Sequence, residues 1–543
     1  MNRINKYIPL LIAVAALALF LPFLGSVHLF DWDEINFAES AREMLLTGDF
    51  LTVQINYQPF WEKPPLFIWM QAFSMHLFGV NEFAARFPNA LCGVFTLLFL
   101  YFVGKRELNR KLGLLWVLSY AGSLLPFFYF KSAIIDPWFN LFIFASLYFA
   151  YTYLVRSASV LNVFLSALAL GLAVLTKGPV AILLMTLALA VFYLQKRSKL
   201  NVKWSHVALF MLVLAVVGGF WFLLQLLNGN YSLIKDFIIY QVRLLLTEDA
   251  GHGGFLFYHF VVIVVGMFPA SVFALPAFTK SKSGIPSGDM LRLMEILLWV
   301  VLILFTVVNT KIVHYSSLAY FPVSFIAAWV MYYRSRNRQK FSPLVLGSYY
   351  FLAGVFIVLT ALLPFGDALK NLLIEANWVN DAFALANLQA QVHWTPWILT
   401  ASVALLFSVV GVYVFNRKKE SLKVYVSAIA GSLVFVFIAM MLVVPRIEAY
   451  SQRAAVEFMK SIRTEDAYVF SYGYKSYVPY FYAEVQAAEN SLAYDKQWLL
   501  NGKIDKPVYC ILKNTKAATF FDTFKGFKKL DEKNGFVLAI RHP

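Results

Sequence analysis

Residues 206–227 read HVALFMLVLAVVGGFWFLLQLL, with no Asp, Glu, Lys or Arg among them. A helix needs about 20 mostly apolar residues to cross a hydrocarbon core, so this stretch reads as a transmembrane helix. Twelve more runs fit the same template, at approximately 7–29, 83–103, 112–130, 135–155, 160–176, 178–195, 257–278, 293–309, 314–333, 343–364, 396–415 and 424–444. The short pair on either side of Thr176-Lys177-Gly178-Pro179 reads as a hairpin or as one broken helix. The stretch 64–79 is apolar but short, and fits an interfacial or re-entrant helix. The chain has 543 residues, 60% hydrophobic and only 14% charged. That composition belongs to a polytopic α-helical membrane protein.

The net charge of +16 does not point to nucleic acid. The basic residues sit in short clusters between the apolar runs, as membrane topology requires. Arg3 and Lys6 precede the first run, and every second loop after it is basic: 105–111, Arg156, 196–203, 280–292, 334–340 and 417–423. These loops hold 22 Lys and Arg, against 9 in the intervening ones. The bias predicts a cytoplasmic N-terminus. Thirteen spans then place the C-terminal tail and the loops 30–82, 228–256 and 365–395 outside. The first run lacks a small-residue cleavage site, so it is expected to stay as a helix rather than leave as a signal peptide. Cys92 and Cys510, one in an apolar run and one in the tail, are not expected to pair.

Residues 1–445 are therefore expected to form a membrane domain, and 446–543 a small external α/β domain. The tail is charged and has no spanning run. A helix-like stretch at 450–463 precedes strand patterns at Ala467–Tyr472, Pro507–Leu512 and Gly535–Ile540.

Carboxylates gather in the first external loop, at Asp31, Asp33, Glu34, Glu39, Glu43, Asp49, Glu62 and Glu82. Charge beside a bilayer is costly and collects where chemistry or topology needs it. A carboxylate there can serve as a general base, or it can simply be a solvated loop. Topology does not call for the nine external basic residues Arg42, Lys63, Arg86, Lys131, Lys177, Lys235, Arg243, Lys311 and Lys370. Brought together beside an apolar groove, they would suit a lipid phosphate, Arg as a fork and Lys as a point charge. Trp61-Glu62-Lys63-Pro64-Pro65 taken alone reads as an interfacial anchor. Asp136-Pro137 alone reads as a helix start, and one histidine at His314 is weak ground for a metal. Their shared side of the membrane carries more weight than any one of them.

Together these pieces resemble the GT-C polyprenyl-phosphate-sugar-dependent glycosyltransferases. The branch is that of the bacterial lipid A aminoarabinose transferases (ArnT) and the related dolichyl-phosphate-mannose-protein mannosyltransferase-like proteins. The matching segments are Asp33-Glu34 with Ala41-Arg42, Glu62-Lys63-Pro64-Pro65-Leu66, Arg86-Phe87-Pro88, Asp136-Pro137, Leu175-Thr176-Lys177-Gly178-Pro179, Arg243 through His252-Gly253-Gly254, and Thr310-Lys311 with His314-Tyr315.

The resemblance implies a GT-C fold in a bacterial inner membrane, with the site on the periplasmic face. The donor would be a sugar on undecaprenyl phosphate, so no nucleotide cofactor is needed, and the chain has no GxGxxG or P-loop. Lys63, Arg243 and Tyr315 would hold the phosphate, with Lys311 and Arg42 in the same set. Asp33 would be the base or orient the acceptor for inversion at the anomeric carbon. Asp136 would position the sugar or acceptor, and Glu34 completes the catalytic set. The family also allows a divalent metal, zinc or similar, shared by Glu62 and His314. Lipid A phosphate receiving a 4-amino-4-deoxy-L-arabinose type of sugar leads the acceptors, with protein Ser or Thr and other envelope glycans behind. A monomer is expected. A lipid-linked-sugar flippase competes, but no inverted repeat or midplane ionisable site supports it. A non-catalytic lipid binder is the third reading.

Overall fold

The computed structural model describes residues 2–196, 202–246, 253–279 and 286–543. His252, together with Arg197, Lys199, Lys280 and Lys282 of the topology count, lies outside them. Among the described residues, eight helices are long and apolar enough to cross a membrane, or nine if one sharply bent pair counts as a single span.

The thirteen apolar runs all become helix, but several are shorter or broken. The first helix, Asn2–Phe20, stops well before residue 29. Pro22 disfavours helix at the residue before it, and Phe23 takes a positive φ of 59°. The run 112–130 divides into Arg110–Ala121 and Leu124–Tyr129. The run 257–278 is not straight: Tyr258–Gly266 and Ala270–Phe278 meet at 103°. Pro269 lies between them and has no N–H to continue the ladder. At Gly178-Pro179 the chain passes from helix Val160–Lys177 into helix Val180–Lys196. Gly178 holds a φ of 102° there, open to a residue without a Cβ. The short apolar stretch becomes the helix Leu66–Phe78.

Burial sorts these helices. Tyr320–Arg336 is buried along nearly its whole length and forms the centre of the bundle. Phe144 stacks on its Phe321 with centroids 4.4 Å apart, and Trp116 Nε1 donates to its Ser324 Oγ at 3.0 Å. Helix Trp204–Leu227 is the opposite case, with only His206, Gly218, Trp221 and Gln225 buried. An apolar helix with an exposed apolar surface has lipid as its natural solvent.

A two-residue ribbon, β1 (Gln54–Ile55) and β2 (Gln58–Pro59), sits in the first long loop. The C-terminal sheet consists of β3 (Tyr468–Tyr472), β4 (Val508–Lys513), β5 (Lys528–Lys533) and β6 (Phe536–Arg541), in the order β3-β4-β6-β5. β3 and β4 are parallel and the other pairings antiparallel. Alternate side chains point to opposite faces of a strand. Phe470, Val508, Cys510, Leu512 and Val537 pack under Leu499 and Phe520. Val469, Ile511, Leu538 and Ile540 instead join a core with Ile35, Phe37, Phe67 and Ile68. The sheet thus shares one apolar core with the helices Asp33–Thr47 and Leu66–Phe78. Fully buried Glu448 adds a polar tie, accepting from Arg453 (2.7 Å) and facing His28 Nδ1 (3.0 Å).

Candidate active site

Asp33 opens the helix Asp33–Thr47, and its carboxylate projects into a cavity of about 860 Å³. Its Oδ2 lies 3.3 Å from His314 Nε2. Asp136 opens another helix, Asp136–Val155, with Pro137 behind it as a rigid start. Its Oδ1 is 2.6 Å from Lys177 Nζ. Lys177 ends its own helix and lies 5.4 Å from the Tyr315 ring centroid. Two helix starts and one helix end thus deliver charge to a single wall.

Lys63 and Arg243 meet on one ring. Lys63 Nζ is 5.1 Å from the Tyr240 centroid, and the Arg243 guanidinium carbon is 5.2 Å from it. An aromatic ring attracts both through its quadrupole. Burial pushes the Lys63 ammonium below the ordinary lysine range, and Lys177 adds repulsion. An anion bound beside Lys63 would relieve both effects. Next to these cations the cavity is apolar, lined by Leu183, Leu184, Phe237, Ile238, Phe305 and Ile312. A cationic end joined to an apolar wall suits an amphiphile with an anionic head.

A second cavity, about 360 Å³, shares Asp31, Trp32, Asp33 and His314 with the first. Phe23, Leu24, Leu125, Phe128 and Met440 make it largely apolar, with Lys131 at its edge. Asp33 and His314 therefore border both cavities.

Asp33, Asp136, Lys63, Arg243, Tyr315, Glu62 and His314 all line the large cavity. Three expected members do not. Glu34, placed in the catalytic set by its position beside Asp33, faces away into a buried pair. Arg86 Nε and Nη2 bond its two oxygens at 2.9 and 2.8 Å, and the Ala133 and Phe30 amides donate at 2.6 and 2.8 Å. It touches only the smaller cavity, and its oxygens are occupied. Arg42, expected on the phosphate, forks onto buried Glu39 with two 2.7 Å bonds and also bonds the Val485 carbonyl. Lys311 donates to the carbonyls of Phe305, Thr306 and Val308 at 3.0, 2.7 and 2.6 Å, closing the end of helix Asp289–Val307.

The suggested metal pair fits poorly. Among the described residues no three His, Cys, Asp or Glu side chains gather as ligands. Glu62 faces Lys475 Nζ at 3.3 Å, and His314 faces Asp33. A tightly held zinc needs three or four protein donors, more than this pair supplies.

The structure also brings in residues the sequence did not single out. Lys475 and Tyr477 enter the large cavity from the loop after β3. The Tyr240 ring carries both cations. Lys177, which the sequence does single out as an external cation in a Gly-Pro turn, pairs with Asp136. Lys475 had no such signal, being one basic residue in a basic tail. Asp31 is docked rather than free: its Oδ1 accepts from the Tyr477 amide at 3.1 Å, and burial raises its pKa to about 6.

The family of dolichyl-phosphate-mannose-protein mannosyltransferases matches residues 62–221, from Glu62 through the helix that contains Trp221. The crystal structure of ArnT from Cupriavidus metallidurans bound to undecaprenyl phosphate superposes with a TM-score of 0.74. The match covers 98% of this chain and 97% of that one at 18% identity, and shows the fold. An uncharacterized protein of Aquifex aeolicus is 31% identical over 344 residues, 61% of this chain and 65% of its own length. The undecaprenyl phosphate-alpha-4-amino-4-deoxy-L-arabinose arabinosyl transferase of Shewanella sediminis is 26% identical over 347 residues, 63% and 62% respectively.

In sequence and in fold the chain is similar to the ArnT-like glycosyltransferases.

The matched region spans less than two thirds of the length of these two curated relatives.

Proposed function

We propose that this protein transfers a sugar from an undecaprenyl-phosphate carrier to an envelope acceptor at the periplasmic face of a bacterial inner membrane. The observation that carries the reading is that Asp33 borders both an amphiphile-shaped cavity with two cations on one ring and a smaller apolar cavity. The solved ArnT with bound undecaprenyl phosphate shares the fold, which supports the donor class. The basic-loop alternation supports the orientation.

In this account Lys63 and Arg243 hold the donor phosphate while its polyprenyl tail lies along the apolar wall. An acceptor oxygen entering from the smaller cavity attacks the anomeric carbon. The new C–O bond forms as the bond from that carbon to the phosphate oxygen breaks, with inversion. The leaving electron pair goes to the phosphate, where the two cations stabilise the growing charge. A hydroxyl acceptor loses its proton to Asp33. A phosphate acceptor is already ionised and needs no base, and the His314 imidazole, held beside Asp33, then orients it. Asp136, fixed by Lys177, faces the sugar from the same cavity. The 4-amino-4-deoxy-L-arabinose type of sugar and lipid A phosphate come first because curated relatives carry that sugar in their names. One chain lines both cavities, and a monomer is the working unit.

The test is transfer in nanodiscs, using labelled undecaprenyl-phosphate sugars and a panel of lipid A, peptide and glycan acceptors. Labelled product on one acceptor class supports the reading and names the acceptor. Donor binding without transfer to any of them would move the assignment to a lipid carrier.

A further inference from the structure

The C-terminal tail contributes side chains to the large cavity. β3 runs parallel to β4, and the loop after β3 leaves the carboxyl end of the strand, where open α/β sheets present ligand-binding loops. Gly473 turns that loop with a φ of 77°, and Lys475 follows. The Lys475 carbonyl accepts from Trp32 Nε1 at 2.7 Å, which fixes the loop against the start of the Asp33 helix. Its ammonium lies 5.3 Å from the Trp32 ring centroid and 5.4 Å from that of Tyr477. It reaches Glu62 Oε1 at 3.3 Å, and the Tyr240 hydroxyl donates to the other Glu62 oxygen, also at 3.3 Å. Tyr240 is the ring that carries Lys63 and Arg243. Lys475 is therefore linked to the phosphate cations through two side chains, Glu62 and Tyr240, on the side where Trp32 and Asp33 begin.

An ammonium, a carboxylate and two aromatic faces are what a polyhydroxylated ring needs: a donor and an acceptor for its hydroxyls, and flat apolar surface for its C–H face. We propose that Lys475, supplied by the C-terminal sheet, contacts the sugar of the lipid-linked donor and, with Glu62, forms its sugar subsite. The subsite rests on the reading of the large cavity as a donor site. On binding, sugar hydroxyls take the place of the Lys475–Glu62 contact, so the tail is a working part of the site. Lys475 is about half exposed, and its loss leaves the buried core intact.

The experiment measures binding of three lipids to protein in nanodiscs: bare undecaprenyl phosphate, and the same lipid carrying mannose or 4-amino-4-deoxy-L-arabinose. Wild type, Lys475→Ala and Lys475→Arg are compared, with thermal unfolding of each. In Lys475→Ala, the sugar-bearing lipid preferred by wild type should bind roughly tenfold more weakly, the loss expected for one charge-assisted hydrogen bond. Bare lipid should bind unchanged, and Lys475→Arg should recover most of the loss. Unchanged affinity for the sugar lipid overturns the inference. An equal loss for bare lipid also overturns it, and assigns Lys475 to the phosphate. Wild type that binds none of the three overturns the donor-site reading beneath it.

Discussion

Asp33 and Glu34 are sequence neighbours with opposite jobs, because successive helix residues point about 100° apart. Asp33 faces the cavity, while Glu34 and Arg86 lock the turn at residues 24–34, Arg86 also donating to the carbonyls of Leu24, Val27 and His28. Removing one partner of a buried pair costs about 3–5 kcal/mol. Arg86→Met should therefore lower the unfolding midpoint sharply, whereas Asp33→Asn should leave it unchanged; thermal unfolding in detergent separates the two. Lys63 gives a pH signature. Its ammonium is held below the ordinary lysine pKa, so it loses charge earlier as pH rises. Donor affinity should fall on the alkaline side and recover as pH is lowered. Lys63→Arg stays charged throughout and should abolish that fall in a binding titration. Glu43 gives a stability signature. Burial and the neighbouring Glu39 raise its pKa to about 9, against about 4.3 in an unfolded chain. A raised folded pKa stabilises fully below the unfolded value, and that contribution is lost as pH climbs towards 9. Glu43→Gln cannot ionise, so its unfolding midpoint should hold between pH 7 and 9 while that of the wild type declines.

Helix ends explain most of what the apolar pattern left open. The runs were legible because a bilayer needs long apolar stretches, and the membrane class followed from them. Their breaks were less legible. A window of hydropathy passes over Pro22 and Pro269, although each interrupts backbone hydrogen bonding there. Lys311 illustrates a helix end mistaken for a ligand site. In sequence it is a cation beside His314 and Tyr315; in the structure it closes three carbonyls, a favoured place for a cation. Lys311→Met should cost about 1–3 kcal/mol by leaving those carbonyls unpaired, with donor affinity unchanged. Thermal unfolding together with lipid binding checks both halves. The strands at Tyr468–Tyr472, Val508–Lys513 and Phe536–Arg541 were legible from their apolar runs. β5, Lys528–Lys533, was not: it is an exposed edge strand rich in charge, which is how sheets protect their edges.

The whole molecule joins parts that lie far apart in sequence. The boundary near residue 446 marks a change in composition, yet the sheet shares its core with the first external loop. Contacts of that range leave no local pattern, which is why Lys475 and Tyr477 were invisible as site residues. Seven of the ten expected site residues do line the large cavity, because the motifs that carried them sit at helix starts and loop turns on one side. Arg42 and Glu34 failed for one reason: a buried charge takes the nearest opposite charge, and the sequence does not show which one that is. The place of Asp33 on both cavities is the feature on which the functional account stands. Its measurement is single-turnover sugar transfer in nanodiscs preloaded with donor, wild type against Asp33→Asn, with bound donor quantified in the same samples. With a hydroxyl acceptor the account predicts equal donor occupancy and a transfer rate reduced by about 10²- to 10⁴-fold, the usual contribution of a positioned base. Equal transfer rates at equal occupancy would contradict it.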